Sequence, residues 1–340
     1  MKETINKPLI NWILIIQGWA MLWVVIGHSC LGNAGEGPVW ENALFNIAYS
    51  FHMPLFMLIS GYLFHYTRLS KLKDGKCGGW YKSMISNKVK RLMIPYVFFT
   101  FVAFLLKMAF PGEMARLASI NLQEVINAFI YPYDNPLREM WFIATLMWFF
   151  LIMPFWGLVI KRQWTKWLAL AGLLVLHFFH PDTEFLCIGR VLSYALWFYL
   201  GIFISEGGYI NKLTGRNRWI AFLAGAILYA AGFFTSSFFE TIGGIVISIS
   251  LALTLDEYLP KTFKSFRNFT YQIFLMGIFA QMFVKILFRH QEVPYLPAYI
   301  ICLLMGLYLP VMVSKILQKI NWTPLLYCVG LSPSRYKTEG

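Results

Sequence analysis

Residues 12–30 read WILIIQGWAMLWVVIGHSC, and residues 51–64 read FHMPLFMLISGYLF. Each stretch lies in an apolar run that is long enough for a membrane-spanning helix, and a short polar segment joins the two runs. The first stretch carries Gln17 and His28, and the second carries His52 and Ser60. A charge inside a spanning helix costs about 2.5–3.5 kcal/mol on insertion scales, so polar side chains there are candidates for function.

Gln17 and His28 are predicted to share one face of the first helix. At about 100° and 1.5 Å per residue, their separation is three turns plus roughly 20°, or about 16 Å along the axis. Two polar groups on one face are typical of a cavity between helices and not of a lipid contact. We therefore expect a polar cavity beside this helix.

The composition extends this interpretation to the whole chain. Of its 340 residues 58% are hydrophobic and 13% are charged, and the mean hydropathy is +0.58. We predict an all-α, polytopic membrane protein with about ten transmembrane helices in a single domain over residues 1–340. The first run is too long for a signal peptide and shows no cleavage site. The predicted spans are 9–31, 43–66, 92–110, 139–160, 166–180, 189–205, 219–235, 240–257, 269–288 and 295–315.

The charge distribution orients these spans. With the N-terminus in the cytoplasm, 23 of the 29 Lys and Arg residues fall on the inner side, while ten of the 16 acidic residues fall outside. This asymmetry follows the positive-inside rule and places both termini in the cytoplasm. The net charge of +13 is therefore explained by membrane topology, and no nucleic-acid partner is expected. We expect a multi-pass protein of the inner, cytoplasmic membrane that contacts membrane lipid.

The two histidines are candidates for chemistry. Imidazole titrates near neutrality, so His28 can act as a general base, although a hydrogen-bonded interfacial histidine is the alternative. Because the two helices run antiparallel, His52 falls in the same outer half and can share that site, but a capping or packing role is equally compatible. Ser60 can serve close helix packing or ligand binding. The remaining histidines lie at scattered depths, so no metal site is expected.

A basic cluster and a tryptophan complete the candidates. Lys88, Lys90 and Arg91 precede Pro95 at the inner start of the third span. They are either snorkelling, topology-setting residues or a clamp for phosphate. Trp141 opens the fourth span and is either an aromatic-belt residue or part of a binding site. The five cysteines lie far apart, and we expect no disulfide among them.

Taken together and in this order, these motifs resemble the acyltransferase-3 family of integral membrane acyltransferases. The family's first helix carries a cation and then a histidine at the spacing of Gln17 and His28, with Gln17 standing where the cation is expected. FHMPLFMLISGYLF is a near match to the family's second helix. KVKRLMIPY at 88–96 and MWFIATL at 140–146 match further elements, and LWFYLGIFI at 196–204 matches more loosely.

This resemblance implies an enzyme that transfers an acyl group from acyl-CoA to a hydroxyl. The acyl group is commonly acetyl, and the acceptor is a polysaccharide, glycan or glycolipid of the cell envelope. His28 would be the catalytic base, and Gln17, His52, Ser60 and Trp141 would bind substrate or donor. The cluster Lys88, Lys90 and Arg91 would hold the phosphates of coenzyme A. Acyl-CoA would be a co-substrate, and no permanently bound cofactor is expected.

Two other classes of function compete with an enzyme. Inverted repeats and discontinuous helices at the midplane are typical of a transporter or exporter, here of a glycan or lipid-linked sugar. The sequence shows no repeat. A catalytically inactive accessory subunit of a polysaccharide synthase would need no chemistry at His28. The absence of a cation at position 17 is compatible with an unusual enzyme or an inactive relative.

The topology is directly testable. We expect tags at both termini to be accessible only from the cytoplasm, because the basic residues concentrate on that side. Cysteines introduced beside Asp134 and Asp182 should react with an impermeant reagent applied outside intact cells. Labelling of either terminus from outside would contradict the predicted orientation.

Overall fold

The computed structural model describes residues 10–31, 37–67, 69, 78–110, 121–288 and 293–333. These residues contain helices and no β-strand, so the prediction of an all-α fold is confirmed. The α-helices are α1 Asn11–His28, α2 Val39–Thr67, α3 Gly78–Lys88, α4 Ile94–Ala109, α5 Leu122–Ile130, α6 Trp141–Leu151, α7 Met153–Val159, α8 Gln163–Phe178, α9 Ile188–Glu206, α10 Gly215–Phe234, α11 Ser237–Tyr258, α12 Thr270–Phe288, α13 Tyr295–Ile320 and α14 Thr323–Cys328.

The number of spans is slightly lower than the ten expected. Within the described residues eight helices are long and apolar enough to cross a membrane, or nine if the bent pair α6–α7 counts as one span. The predicted fifth span forms α8, whose 16 residues are too few for a typical crossing. The chain is therefore a multi-pass membrane protein, while the cytoplasmic location of its termini stays a prediction.

A proline accounts for the broken fourth span. α6 ends at Leu151 and α7 begins at Met153 with an axis bend of 56°. Pro154 lies in the first turn of α7, where its missing N–H and fixed φ suit a helix start but not a helix interior. The predicted span 139–160 is thus two short helices.

The segment before α4 also differs from its prediction. Residues 67–91 lie between the second and third predicted spans, where no helix is expected, but residues 78–88 form α3. The Tyr81 hydroxyl donates to the Leu151 carbonyl over 2.7 Å, and Met84 is buried, so this helix packs inside the protein. Residues 70–77, which include Cys77, lie outside the described residues. The other four cysteines are free thiols.

The helices group into two compact units, each made of two stretches of the chain. The first unit comprises residues 1–68 and 204–313, in which α1 packs against α2, α11 and α12. Its apolar core joins residues of α1, α12 and α13 and includes Met21, Val24, Val25, Ile273, Leu307 and Val311. The first helix of the sequence is therefore the centre of this unit.

The second unit comprises residues 69–203 and 314–340. Its core is aromatic: the ring of Phe198 stacks on Phe149 at 4.7 Å, and the ring of Trp156 stacks on Tyr199 at 5.8 Å. All four side chains are almost fully buried. The single domain expected over residues 1–340 stays a prediction.

Close packing of two helices in the first unit depends on glycine. α10 and α11 follow each other after a short turn and lie against each other along their length. A Cβ atom added at Gly243 would lie 2.4 Å from the Tyr229 amide nitrogen and 2.6 Å from the Gly225 carbonyl oxygen. Because both neighbours are backbone atoms, they cannot move aside without separating the helices. Small residues at such crossings are typical of membrane helices.

We expect Gly243→Ala to lower the free energy of unfolding by about 1–3 kcal/mol, because the added methyl group overpacks the crossing. Gly172→Ala in α8 is the matched control, since no heavy atom lies within 4 Å of a Cβ there. That control should be neutral or slightly stabilising. Thermal unfolding of the purified proteins in detergent measures both effects, and equal melting temperatures for the two variants would contradict the close crossing.

Candidate active site

Three aromatic rings meet where α1 ends. His28 is the last residue of α1 and is half-buried. The centroid of its ring lies 6.0 Å from that of Tyr49, and the Tyr49 ring lies 5.1 Å from that of His52, both with edge-to-face geometry. Tyr49 also stacks on Phe45 at 4.1 Å. The two predicted histidines therefore both contact the ring of Tyr49, a residue that the sequence analysis did not single out.

The tautomer of neutral His52 follows from its hydrogen bond. His52 is 2% exposed, and its Nδ1 lies 2.5 Å from the carbonyl oxygen of Ala48, one turn earlier in α2. A carbonyl oxygen can only accept, so Nδ1 carries the proton. The Nε2 of the neutral ring then keeps its lone pair and can accept a hydrogen bond.

The helix end that carries His28 is held by buried side chains. The Gln281 amide nitrogen donates to the Val25 carbonyl and to the Ser29 hydroxyl oxygen, both over 2.9 Å. The Ser29 hydroxyl in turn donates to the Val25 carbonyl over 2.7 Å. Gln281 and Ser29 are at most 2% exposed. The last carbonyls of a helix have no partner within the helix, and here α12 supplies one.

α13 and the start of α2 complete this support. The Tyr299 hydroxyl donates to the Ile26 carbonyl over 3.1 Å. The buried carboxylate of Glu41 accepts from the Tyr295 hydroxyl over 2.6 Å and from the Leu31 amide over 3.2 Å. Hydrogen bonds from three other helices thus fix the backbone on both sides of His28.

Gln17 remains apart from this network. It is half-buried and has no hydrogen-bond partner among the residues that the structure describes. The Cβ of Arg267 packs beside Gly18, but the Arg267 guanidinium donates to the Asn11 side-chain oxygen and to the carbonyls of Pro260 and Thr262. Arg267 is therefore committed to the N-terminal end of α1 and does not supply the cation absent from position 17.

Ser60 does not join the histidines. It lies eight residues after His52, about 12 Å further along α2. α2 passes through Ser60 and Gly61 without a break, and Ser60 is half-buried. Its predicted binding role stays a prediction.

The predicted basic clamp lies in the second unit, on an unusual turn. Residues Val89–Met93 form a π-helix between α3 and α4. Lys90 and Arg91 are exposed on this turn, whereas the ammonium of Lys88 lies 3.7 Å from the centroid of the Phe150 ring. π-Helical turns occur frequently at functional sites. The turn presents Lys90 and Arg91 outward and directs Lys88 into an aromatic contact.

Trp141 is 9% exposed and packs inside the second unit. Its ring lies 5.2 Å from the ring of Tyr194 and 5.4 Å from the guanidinium carbon of Arg190. An aromatic-belt side chain would face lipid, so this position favours a role within the protein.

The described residues contain no group of three His, Cys, Asp or Glu side chains that could hold a metal ion. Sequence reasoning found both histidines but missed Tyr49, Gln281, Tyr299 and Glu41. Tyr49 precedes His52 by three residues and shares its helix face, which is a usable signal. Gln281 and Tyr299 lie more than 250 residues after their partners, and no local pattern connects them.

Comparison with known proteins agrees with the motifs. A family model described as Acyltransferase domain matches residues 10–315. Over 212 residues the chain is 30% identical to Nodulation protein NolL of Mesorhizobium japonicum (strain LMG 29417 / CECT 9101 / MAFF 303099), which covers 60% of this chain and 50% of that protein. The chain thus spans about half the length of this curated relative. No solved structure matches the chain.

The support of the α1 end by Gln281 is testable by hydrogen exchange. We expect Gln281→Leu to cost about 1–3 kcal/mol of stability, because it leaves buried acceptors unpaired. Amides of residues 26–31 should then exchange faster, since the helix end opens locally. Gln272→Leu, at another buried glutamine of α12, is the control and should leave those amides protected. Unchanged exchange in Gln281→Leu would contradict the role given to this side chain.

Proposed function

The chain belongs to the acyltransferase family whose model covers residues 10–315, and we propose that it is a membrane O-acyltransferase. It would move an acyl group, most simply acetyl, from acyl-CoA to a hydroxyl of an envelope glycan or glycolipid. The observation that carries the proposal is the position of His28. This ionisable ring is half-buried at a helix end that buried hydrogen bonds hold in place.

The chemistry requires a base at this point. A hydroxyl is a weak nucleophile toward a thioester until its proton is removed. His28 would accept that proton as the hydroxyl oxygen bonds to the acyl carbon and the carbon–sulfur bond breaks. The protonated imidazole would then return the proton to the departing thiolate, so that the products are the ester and free coenzyme A.

Tyr49 and His52 would orient the reacting groups. The Tyr49 ring touches both imidazoles, so it limits the rotation of His28. The Nε2 lone pair of neutral His52 can accept a hydrogen bond from a sugar hydroxyl. We assign the role of base to His28 and only acceptor binding to His52, because the ring of His52 is buried and hydrogen-bonded and is therefore less accessible than that of His28.

The donor would bind from the cytoplasmic side. Lys90 and Arg91 lie exposed on the π-helical turn, and guanidinium and ammonium groups pair well with the phosphates of coenzyme A. Lys88 would contribute less to this contact, because its ammonium is placed on the Phe150 ring. Gln17 would offer an uncharged hydrogen bond to the donor, at the position where the resemblance implies a cation.

The acceptor would approach from outside the inner membrane. The predicted topology places the C-terminal end of α1, and so His28, at the outer side. A transporter is favoured less. Discontinuous helices support a transporter only when the break serves substrate binding and has no simpler local cause. In the described part of the chain the break between α6 and α7 is explained locally by Pro154.

The proposal predicts that different residues serve catalysis and donor binding, so that variants can lose one and keep the other. We expect His28→Ala to lower acyl transfer by about 10²–10⁴-fold while coenzyme A still binds. His28→Gln should be nearly as inactive, since it cannot take the proton. Arg91→Ala should instead weaken binding of coenzyme A and leave His28 intact. The assays are acylation of envelope glycan by mass spectrometry and coenzyme A binding to purified protein.

His177→Ala is the matched control, because the Nδ1 of this half-buried histidine donates to the Ser193 carbonyl oxygen over 2.7 Å in the second unit. It should retain near-normal transfer. Normal glycan acylation by His28→Ala would show that His28 is not the catalytic base. Coenzyme A affinity unchanged in Arg91→Ala would place the donor's phosphates elsewhere.

A further inference from the structure

Two arginines in the second unit converge on a single aromatic ring. The guanidinium carbon of Arg138 lies 4.6 Å from the centroid of Tyr133, and that of Arg190 lies 4.7 Å from the same centroid. Arg190 also lies 5.4 Å from the ring of Trp141. The salt bridge found among the described residues joins Arg218 to Glu257 and involves neither of these arginines.

The backbone around these arginines is firmly held. The 3₁₀ turns Pro132–Asp134, Arg138–Met140 and Phe185–Cys187 lie in contact with one another or with α6. Buried Asn135 donates to the Thr100 hydroxyl oxygen over 2.8 Å and accepts from the Leu137 amide over 2.9 Å. The segment that carries Tyr133 and Arg138 is therefore fixed to α4.

The start of α9, which carries Arg190, is held in a similar way. The Trp148 indole N–H donates to the Leu186 carbonyl over 2.9 Å, and the Gly189 amide donates to the Thr183 carbonyl over 3.0 Å. Leu186 and Cys187 have φ angles of 49° and 60°. Such left-handed backbone in non-glycine residues is strained, and it is often found at functional sites.

The electrostatics of this place favour an anion. Arg190 lies in the first turn of α9, and Arg138 lies just before α6, so both are next to the positive end of a helix. A guanidinium stacked on a ring keeps the N–H groups at its edge available. Those groups match a carboxylate or phosphate with two parallel hydrogen bonds.

We propose that Arg138 and Arg190, stacked on Tyr133 and backed by Trp141, bind an oxyanion, either a carboxylate or a phosphate. On the proposed function, on which this last step rests, the anion belongs to the acceptor, which is then an acidic glycan or a phosphate-linked sugar. The predicted topology places both arginines on the outer side, where that acceptor would arrive. An anionic lipid headgroup carries the same chemistry, and the test separates the two sources.

The test uses the full chain in nanodiscs of phosphatidylcholine. Glucuronic acid and glucose are matched probes, because they differ by one carboxylate, and inorganic phosphate is the competitor. Saturation-transfer NMR should detect glucuronic acid, with displacement by phosphate, and should detect glucose at least tenfold more weakly. Arg190→Gln and Arg138→Gln should each weaken glucuronic acid binding at least tenfold. Arg190→Lys should fall in between, since it keeps the charge but loses the planar fork.

Arg162→Gln is the control, at an exposed arginine of the same unit that lies outside the cluster. It should bind glucuronic acid as the wild type does, and thermal unfolding should confirm that all variants are folded. Equal affinity in Arg190→Gln and wild type, or no binding of either anion by wild type, would overturn the site. If nanodiscs with phosphatidylglycerol abolish binding of glucuronic acid, the site holds a lipid headgroup, and the assignment to the acceptor is wrong. These binding measurements need no acyl transfer, so they remain informative if His28→Ala proves fully active.

Discussion

Inside a bilayer a backbone carbonyl must find a hydrogen-bond partner within the protein, because no water is present to replace it. The last turn of every helix breaks this rule unless another element supplies donors. At the end of α1 the donors come from Gln281 and Tyr299, while Glu41 accepts from the backbone beyond it. α1 is also the helix around which the first unit packs. The same hydrogen bonds that make the helix end tolerable in the membrane therefore fix the direction of His28.

The sequence predicted the helices well where apolar length alone decides the outcome. Each expected span except the fourth forms a single helix. The prediction failed where one residue interrupts a long apolar run, as Pro154 does in the fourth span. It also failed where packing overrides a polar composition, as in α3. Hydropathy measures neither effect.

The candidate site was predicted in part for a related reason. His28 and His52 are recognisable because an ionisable group is rare in a spanning helix. Gln281, Tyr299 and Arg190 carry no such mark, since amides, tyrosines and arginines are common near membrane surfaces. Their importance comes from partners elsewhere in the fold. In both units an aromatic ring organises the candidate groups: Tyr49 between two imidazoles, and Tyr133 beneath two guanidinium groups.

The long reach of the contacts at the α1 end has a consequence for biogenesis. The hydrogen bonds to Val25 and Ile26 join residues 256 and 273 positions apart. At a synthesis rate of about 5–20 residues per second, α1 leaves the ribosome roughly 10–60 s before its partners in α12 and α13 exist. During that interval the end of α1 must satisfy its carbonyls at the membrane surface or within the insertion machinery. The histidine site is accordingly completed only when the last spans enter the membrane, so a nascent chain that stops before α12 carries His28 without the structure that orients it.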